Sequence, residues 1–128
     1  RSNAYLDVGR TPLKALRDLG VPVGLGTDSL ASAESLSLWD EIRFAHQAHR
    51  GLLSPVEWVR MATAGGARAL GLDREIGTLE PGKRADLTAL ALDGPEVDPY
   101  EFLLHEASAK KVLLTTVDGT PRYEREAS

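Results

Sequence analysis

Cysteine is absent from the 128 residues, so disulfides, thiolate metal sites and cysteine nucleophiles are excluded. No apolar run approaches the roughly 18 residues that cross a bilayer. Basic runs are missing too: 15 Lys and Arg against 19 Asp and Glu leave a net charge of −4. A mildly acidic chain without a basic stripe is a poor partner for nucleic acid or an anionic membrane. Aromatic residues are only 5%, and Trp39 and Trp58 are the natural core anchors among them. No secretory leader pattern is present, which points to the cytoplasm. The first residue is Arg1, so the chain is expected to be processed or to be a piece of a longer polypeptide. Ser2-Asn3-Ala4 also fits a vector remnant, but such a remnant would normally come first, and Arg1 precedes it.

What is present is ordinary globular composition, with 42% hydrophobic and 27% charged residues. The length suits one compact domain and falls well short of the ~250 residues of a complete (β/α)8 barrel. Thr11 to Gly20 reads as a short helix with Thr11 as N-cap, Pro12 at the first helical position and Gly20 as the stop. Val21 to Leu25 is short, β-branched and bounded by glycine, and predicts a buried strand. Ser35 to His49 has helical period through Leu38, Trp39, Ile42 and Ala45, and Gly51 ends it. Ser54-Pro55-Val56-Glu57 is a capping box opening a helix that runs to Gly71, with a hitch at Gly65-Gly66.

After Leu72 the character changes. A Pro81-Gly82 turn precedes a strand over 85–92, a short helix starts at Asp98-Pro99 and runs to about Ala107, and strands over 110–117 and 120–125 flank a hairpin turn at Asp118-Gly119. Helix followed directly by buried strand marks an α/β fold. The expected division is residues 1–72 as α/β units and 73–128 as strands of a small separate sheet.

Chemistry concentrates in Gly24-Leu25-Gly26-Thr27-Asp28-Ser29, at the carboxyl end of the buried strand, where α/β folds build active sites. Asp28 has two readings there: a metal ligand or general base, or the cap of the next helix or an Asx turn. A dinucleotide loop does not fit, because Ser29 stands where the third glycine belongs and no acid follows near Ala48. His46 and His49 are spaced i, i+3, but both fall at the end of a helix beside an apolar stripe, where a structural role outweighs metal ligation. His105 reads as a lone surface or packing residue. Arg68, Arg74, Lys83 and Arg84 read as a solvated face.

Four ordered motifs carry a resemblance. They are Arg1-Ser2-Asn3, Gly20 to Ser29, Met61-Ala62-Thr63-Ala64-Gly65-Gly66-Ala67-Arg68-Ala69-Leu70-Gly71, and Ile76-Gly77-Thr78-Leu79-Glu80-Pro81-Gly82-Lys83-Arg84-Ala85-Asp86-Leu87. Together they resemble the C-terminal third of the amidohydrolase superfamily, in its cytosine deaminase, chlorohydrolase and aminodeoxyfutalosine deaminase branch. Val112 to Arg122 is similar to the family's closing hairpin. The match covers essentially the whole chain and makes Ser2-Asn3 native sequence.

The resemblance implies the last βα units of a metal-dependent (β/α)8 barrel over 1–72 and part of a small β-sandwich over 73–128. It implies hydrolytic deamination, or dechlorination, of a nitrogen heterocycle by metal-bound hydroxide, with zinc or iron as the divalent cofactor. Asp28 matches the aspartate after the eighth barrel strand, which contacts the metal and takes a proton from its water. Asn3 matches a position near the substrate in the loop after the seventh strand. Gly26 and Thr27 shape the Asp28 loop, and Ala85-Asp86-Leu87 leads the chain into the sandwich. The family's metal is held mainly by a His-x-His pair after the first strand and by histidines after the fifth and sixth. His46, His49 and His105 do not fall at those positions, which implies a chain inert by itself. The implied partners are a small heterocyclic substrate and the missing N-terminal part of the barrel, with homo-oligomerisation open. The alternative is a non-catalytic remnant or split subunit that acts as a folding or interaction module.

Overall fold

The computed structural model describes residues 1–32, 34–92 and 98–126. In order these form α1 (Ser2–Tyr5), α2 (Leu13–Asp18), α3 (Leu38–Ala48), α4 (Pro55–Arg60), a π-helical turn (Met61–Gly65) and α5 (Gly66–Ala69). Strand β1 (Leu87–Leu90), α6 (Pro99–His105), a 3-10 turn (Ala109–Lys111) and strands β2 (Val112–Val117) and β3 (Thr120–Glu124) follow. The result is a small α/β piece. No helix among the described residues is long and apolar enough to cross a membrane.

Helix ends follow the polar groups that satisfy them. Ser54 and Glu57 close the expected capping box: Glu57 Oε2 accepts from the Ser54 amide and hydroxyl, both at 2.8 Å, with Pro55 in the first turn. Asp98 caps α6 by accepting from the amides of Tyr100 and Glu101 at 2.8 and 2.9 Å. Helix α2 begins one residue later than Thr11-Pro12 predict: Pro12 is the N-cap and no side chain caps it. The Leu13 amide instead bonds back to the Thr11 carbonyl at 2.8 Å, turning the chain before the helix starts. Helix α3 starts at Leu38 rather than Ser35, because the Ser35 hydroxyl is spent on Asp40 and on the Ser37 amide. A short N-terminal helix, α1, ends at Tyr5, and the sequence did not signal it.

One core holds the helices together. Trp58, Ile42, Leu13, Leu53 and Met61 are buried, and Leu104 of α6 joins them from the C-terminal part of the chain. Val23 and Leu25 pack against this cluster. Residues 21–25 are extended, but they pair with no strand among the described residues. The expected strand is therefore corrected to an extended segment, since a strand exists only through its ladder partners. Its neighbour is the helix: the Leu25 amide donates to the Met61 carbonyl at 3.3 Å, at the head of the π turn. The π turn replaces the expected hitch at Gly65-Gly66, starting four residues earlier.

The two backbones meet without side chains between them. A Cβ on Gly24 would lie 2.6 Å from Gly66 Cα, and one on Gly65 would lie 3.0 Å from the Val23 carbonyl oxygen. Gly77, at φ +96°, closes the other side of the same helix, where a Cβ would lie 2.6 Å from Ala67 Cβ.

The sheet has order β1-β2-β3 and is antiparallel throughout, with Leu87 opposite Thr116 and Val117 opposite Thr120. It is shorter at its ends than the sequence predicts: the strand expected over 85–92 pairs only over Leu87–Leu90, and the one expected over 110–117 starts at Val112. Asp118 and Gly119 both take positive φ, 52° and 72°, as a tight two-residue hairpin requires. Asp86 fastens that turn by accepting from the Asp118 amide at 2.6 Å. Lys83 and Arg84 are not merely a solvated face. Lys83 Nζ donates to the Asp73 carbonyl at 2.7 Å and to Thr78 at 2.6 Å, and Arg84 pairs with Glu75 at 2.8 Å, so both fold the 73–84 loop on itself.

The accessible surface is 8753 Å², about a third more than the roughly 6,600 Å² of a compact monomer of this length. Large apolar side chains account for part of the surplus: Leu19, Leu79, Tyr5 and Leu70 are each more than 70% exposed. Of the two tryptophans expected as core anchors, Trp58 is fully buried and Trp39 is half-buried.

Two stability predictions follow from these contacts. Gly24→Ala should cost about 1–3 kcal/mol, the usual range for forcing a methyl into a closed contact. Gly66→Ala should be neutral or gain up to about 1 kcal/mol, because Gly66 has helical φ −60° and ψ −47° and its Cβ would meet nothing nearer than 3.8 Å. Urea midpoints of the two variants measure the asymmetry. The Glu57 carboxyl is held below its ordinary value of 4.5 by the Ser54 amide and hydroxyl and by Arg17. A depressed folded value means that Glu57 contributes fully above 4.5 and that the contribution fades as pH falls through the lowered value. Glu57→Gln should therefore flatten the acid limb of stability, read as urea midpoints across that window.

Candidate active site

A cleft of about 610 Å³ opens between the N-terminal turn, the 24–28 loop and α3. Asp28 and Asn3, the two residues singled out from the sequence, both line it. Asn3 sits within α1 and is exposed. Asp28 is exposed as well, and among the described residues its carboxylate accepts no hydrogen bond and forms no ion pair. The helix that follows starts too far on for Asp28 to cap it: the N-cap position of α3 is Ser37, nine positions on, and no side chain caps that helix. Local turn bonding falls to Ser29, whose hydroxyl accepts from the Ala31 amide at 3.2 Å. Of the two readings of Asp28, capping is removed and an unspent carboxylate on a cleft wall stays.

The loop reaches the cleft because residues 23–25 are clamped to the helix by the glycine contact and the Leu25–Met61 bond. Across the cleft, α3 contributes Glu41, which is 7% exposed and whose Oε2 lies 3.1 Å from the α-nitrogen of Arg1. Sequence reasoning missed Glu41. The signal was available: Glu41 falls three residues after Leu38 and four before Ala45, so a charge sits on the helix face that should be apolar.

Next to it, Asp40 gathers three donors. Its Oδ2 accepts from Ser35 at 2.7 Å and lies 3.3 Å from Arg1 Nη1, and its Oδ1 accepts from Arg43 at 2.8 Å. These contacts, the Ser35 hydroxyl first and Arg43 second, hold the Asp40 carboxyl below its ordinary 3.8.

The histidines sit apart from Asp28's role. His46 meets the Trp58 ring edge-on at 6.4 Å and the His105 ring edge-on at 6.0 Å, and His49 lies tilted over Trp58 at 6.4 Å. His105 is therefore not alone, as the sequence suggests. It touches His46 from α6 and pairs with Glu101 at 3.3 Å. His46 Nδ1 and Trp58 Nε1 are buried without a hydrogen bond among the described residues. His49 lines the cleft, but among the described residues no group of three or more His, Asp or Glu side chains is placed to hold a metal. Two carboxylates on the cleft, Asp7 and Asp28, carry no hydrogen bond or ion pair among the described residues; together they fall short of the four ligands that zinc takes.

Comparison with known proteins places this geometry. The amidohydrolase family profile matches residues 1–122. A 5-methylthioadenosine/S-adenosylhomocysteine deaminase of Symbiobacterium thermophilum is 39% identical across 96% of this chain and 31% of its own length. An adenosine deaminase of Xanthomonas campestris, solved with bound zinc, superposes with TM-score 0.87 at 32% identity, over 96% of this chain and 30% of that one. An atrazine chlorohydrolase of Arthrobacter aurescens TC1, solved with zinc, superposes with TM-score 0.84 at 32% identity, over 96% and 30%. The chain spans less than a third of the length of these relatives.

The lack of a cluster of three or more ligands among the described residues predicts the metal behaviour of the 128-residue chain. Zinc should bind it no more tightly than it binds an ordinary acidic surface. Calorimetry that found a stoichiometric site, lost on His46→Ala or His49→Ala, would contradict this and make the helical histidine pair a ligand set.

Proposed function

The chain belongs to the amidohydrolase family, and from that premise we propose that it is the C-terminal portion of a metal-dependent (β/α)8 hydrolase that deaminates a nitrogen heterocycle. Residues 1–72 supply the last βα units of the barrel and residues 73–128 part of a small β-sandwich. The surplus accessible surface and the bare Leu19, Leu70 and Leu79 support this reading, because apolar faces of that size are covered in a folded enzyme. The remaining polypeptide supplies the partner strands for residues 21–25 and the other ligands of a divalent metal.

Deamination adds water to the ring carbon that carries the amino group. The water loses a proton, the C–N bond breaks, and the nitrogen leaves as ammonia with that proton. A bound divalent metal would lower the pKa of water toward neutrality and would count Asp28 among its ligands. Asp28 is the group of this chain that moves the proton, accepting it from the attacking water and delivering it to the departing nitrogen. Asn3, which lines the same cleft, offers an amide with two donors and one acceptor oxygen, suited to the ring nitrogens and exocyclic groups of a heterocycle. The named activities of the relatives make an adenine nucleoside the first substrate to test and a chlorinated triazine the second.

The observation that carries the proposal is the Asp28 carboxylate, unspent on any cap or ion pair at the cleft wall. A proton carrier must have its oxygens free, and Asp28 meets that requirement at the position the family motif marks. In the full-length enzyme, Asp28→Asn should lose about 10²–10⁴ in turnover, the typical worth of general acid–base catalysis. Since Asp28 holds nothing within the chain, Asp28→Asn and Asp28→Ala should both melt within a few degrees of the parent. Ammonia release from adenosine and S-adenosylhomocysteine, with melting curves, provides the test. Parent-like turnover in Asp28→Asn would remove the catalytic role.

A further inference from the structure

The cleft is assembled from pieces that are distant in sequence. The N-terminal turn carries Asn3. Ser35 lies seven positions past Asp28 in the sequence. Both segments meet the first turn of α3 at one side chain. Asp40 Oδ2 receives the Ser35 hydroxyl at 2.7 Å and faces the Arg1 guanidinium at 3.3 Å. The same guanidinium donates to the Ser35 hydroxyl at 3.1 Å, which closes a three-membered ring of contacts. Asp40 Oδ1 receives Arg43 at 2.8 Å, and Arg43 reaches on to the Ala107 carbonyl at 2.8 Å, just past α6. The neighbouring Glu41 holds the Arg1 α-nitrogen at 3.1 Å, so residue 1 is gripped at both ends.

Resting on the deaminase reading above, we infer that Asp40 is a positioning residue: it locks the Asn3 turn and the Asp28 loop into one arrangement across the cleft. The charge matters, because one carboxylate serves a hydroxyl and two guanidiniums at once, and bonds to a charged acceptor are about twice as strong as neutral ones. An asparagine of the same shape has one acceptor oxygen and an NH2 that points donors at Arg1 or Arg43. Helix α3 itself tolerates the change, since asparagine is accepted in its first turn. Loss of Asp40 therefore loosens the two segments without melting the core helix. Small displacements of reacting groups are costly: a shift of about 1 Å is worth up to about a hundredfold in rate.

The two arms of the ring make separate predictions in the full-length enzyme. Ser35→Ala frees the Asp28 side and should lower kcat about tenfold with KM held within about twofold. Arg1→Gln frees the Asn3 side and should raise KM about tenfold with kcat held within about twofold. Asp40→Asn frees both and should change both constants, for a fall in kcat/KM of about ten- to a hundredfold. Amide hydrogen exchange should quicken in residues 2–8 and 29–32 in Asp40→Asn and stay as in the parent along α4. Parent-like exchange in those segments, parent-like kinetics in Asp40→Asn, or identical effects of Ser35→Ala and Arg1→Gln on both constants would each overturn the inference. Exchange reads the lock independently of chemistry. Faster exchange in an enzyme that deaminates none of the test substrates would retire the deaminase reading and leave the lock established.

Discussion

Residues 21–28 reach the cleft because two backbones touch with nothing between them. Gly24 lies against Gly66 so closely that one added methyl carbon would sit 2.6 Å from the facing Cα. At that separation the Leu25 amide finds the Met61 carbonyl, and Val23 and Leu25 reach the Trp58–Ile42 core. The extended segment has no ladder among the described residues, so this contact carries the anchoring that neighbouring strands would share in a sheet. The π turn belongs to the same constraint: a helix inserts a wider turn where its regular winding would not accommodate a close neighbour. Everything after Leu25, including the direction in which Asp28 leaves the scaffold, inherits its placement from that junction.

Charge is arranged differently on the two walls of the cleft. One wall presents Asp28 without a partner. The other, the first turn of α3, has two carboxylates in fully used positions, Asp40 among three donors and Glu41 against the start of the chain. Carboxylates that hold a loop have to be occupied, and those of α3 are, whereas Asp28 keeps its oxygens free among the described residues. The aromatic floor serves neither: Trp58 with His46 and His49 fills space and joins α3 to α4, and His105 extends the stack to α6.

Much of this was legible in the residues. The Ser54-Glu57 box, the Asp98-Pro99 start and the Asp118-Gly119 turn formed as read, because each depends on atoms within four residues of one another. Asp28 and Asn3 were marked by motif and do line one cleft. Others were misplaced for physical reasons. Ser35 was expected inside the helix, but its hydroxyl found a better acceptor in Asp40. Lys83 was expected in solvent and instead folds a loop by bonding a carbonyl ten residues back. His105 was read as solitary because its neighbour, His46, is 59 positions away along the chain.

The sequence by itself determined the local elements, the family resemblance and the identity of the carboxylate at the end of residues 21–25. These rest on short-range hydrogen bonds, backbone preferences and motif order, all of which are written in consecutive residues. Tertiary structure alone decided that Asp28 caps nothing, that Glu41 is buried beside the cleft, and that Asp40 joins two segments whose contact residues lie 34 positions apart. Whether a carboxylate is free or occupied depends on which donors the fold carries to it, and those donors come from parts of the chain that no local pattern connects.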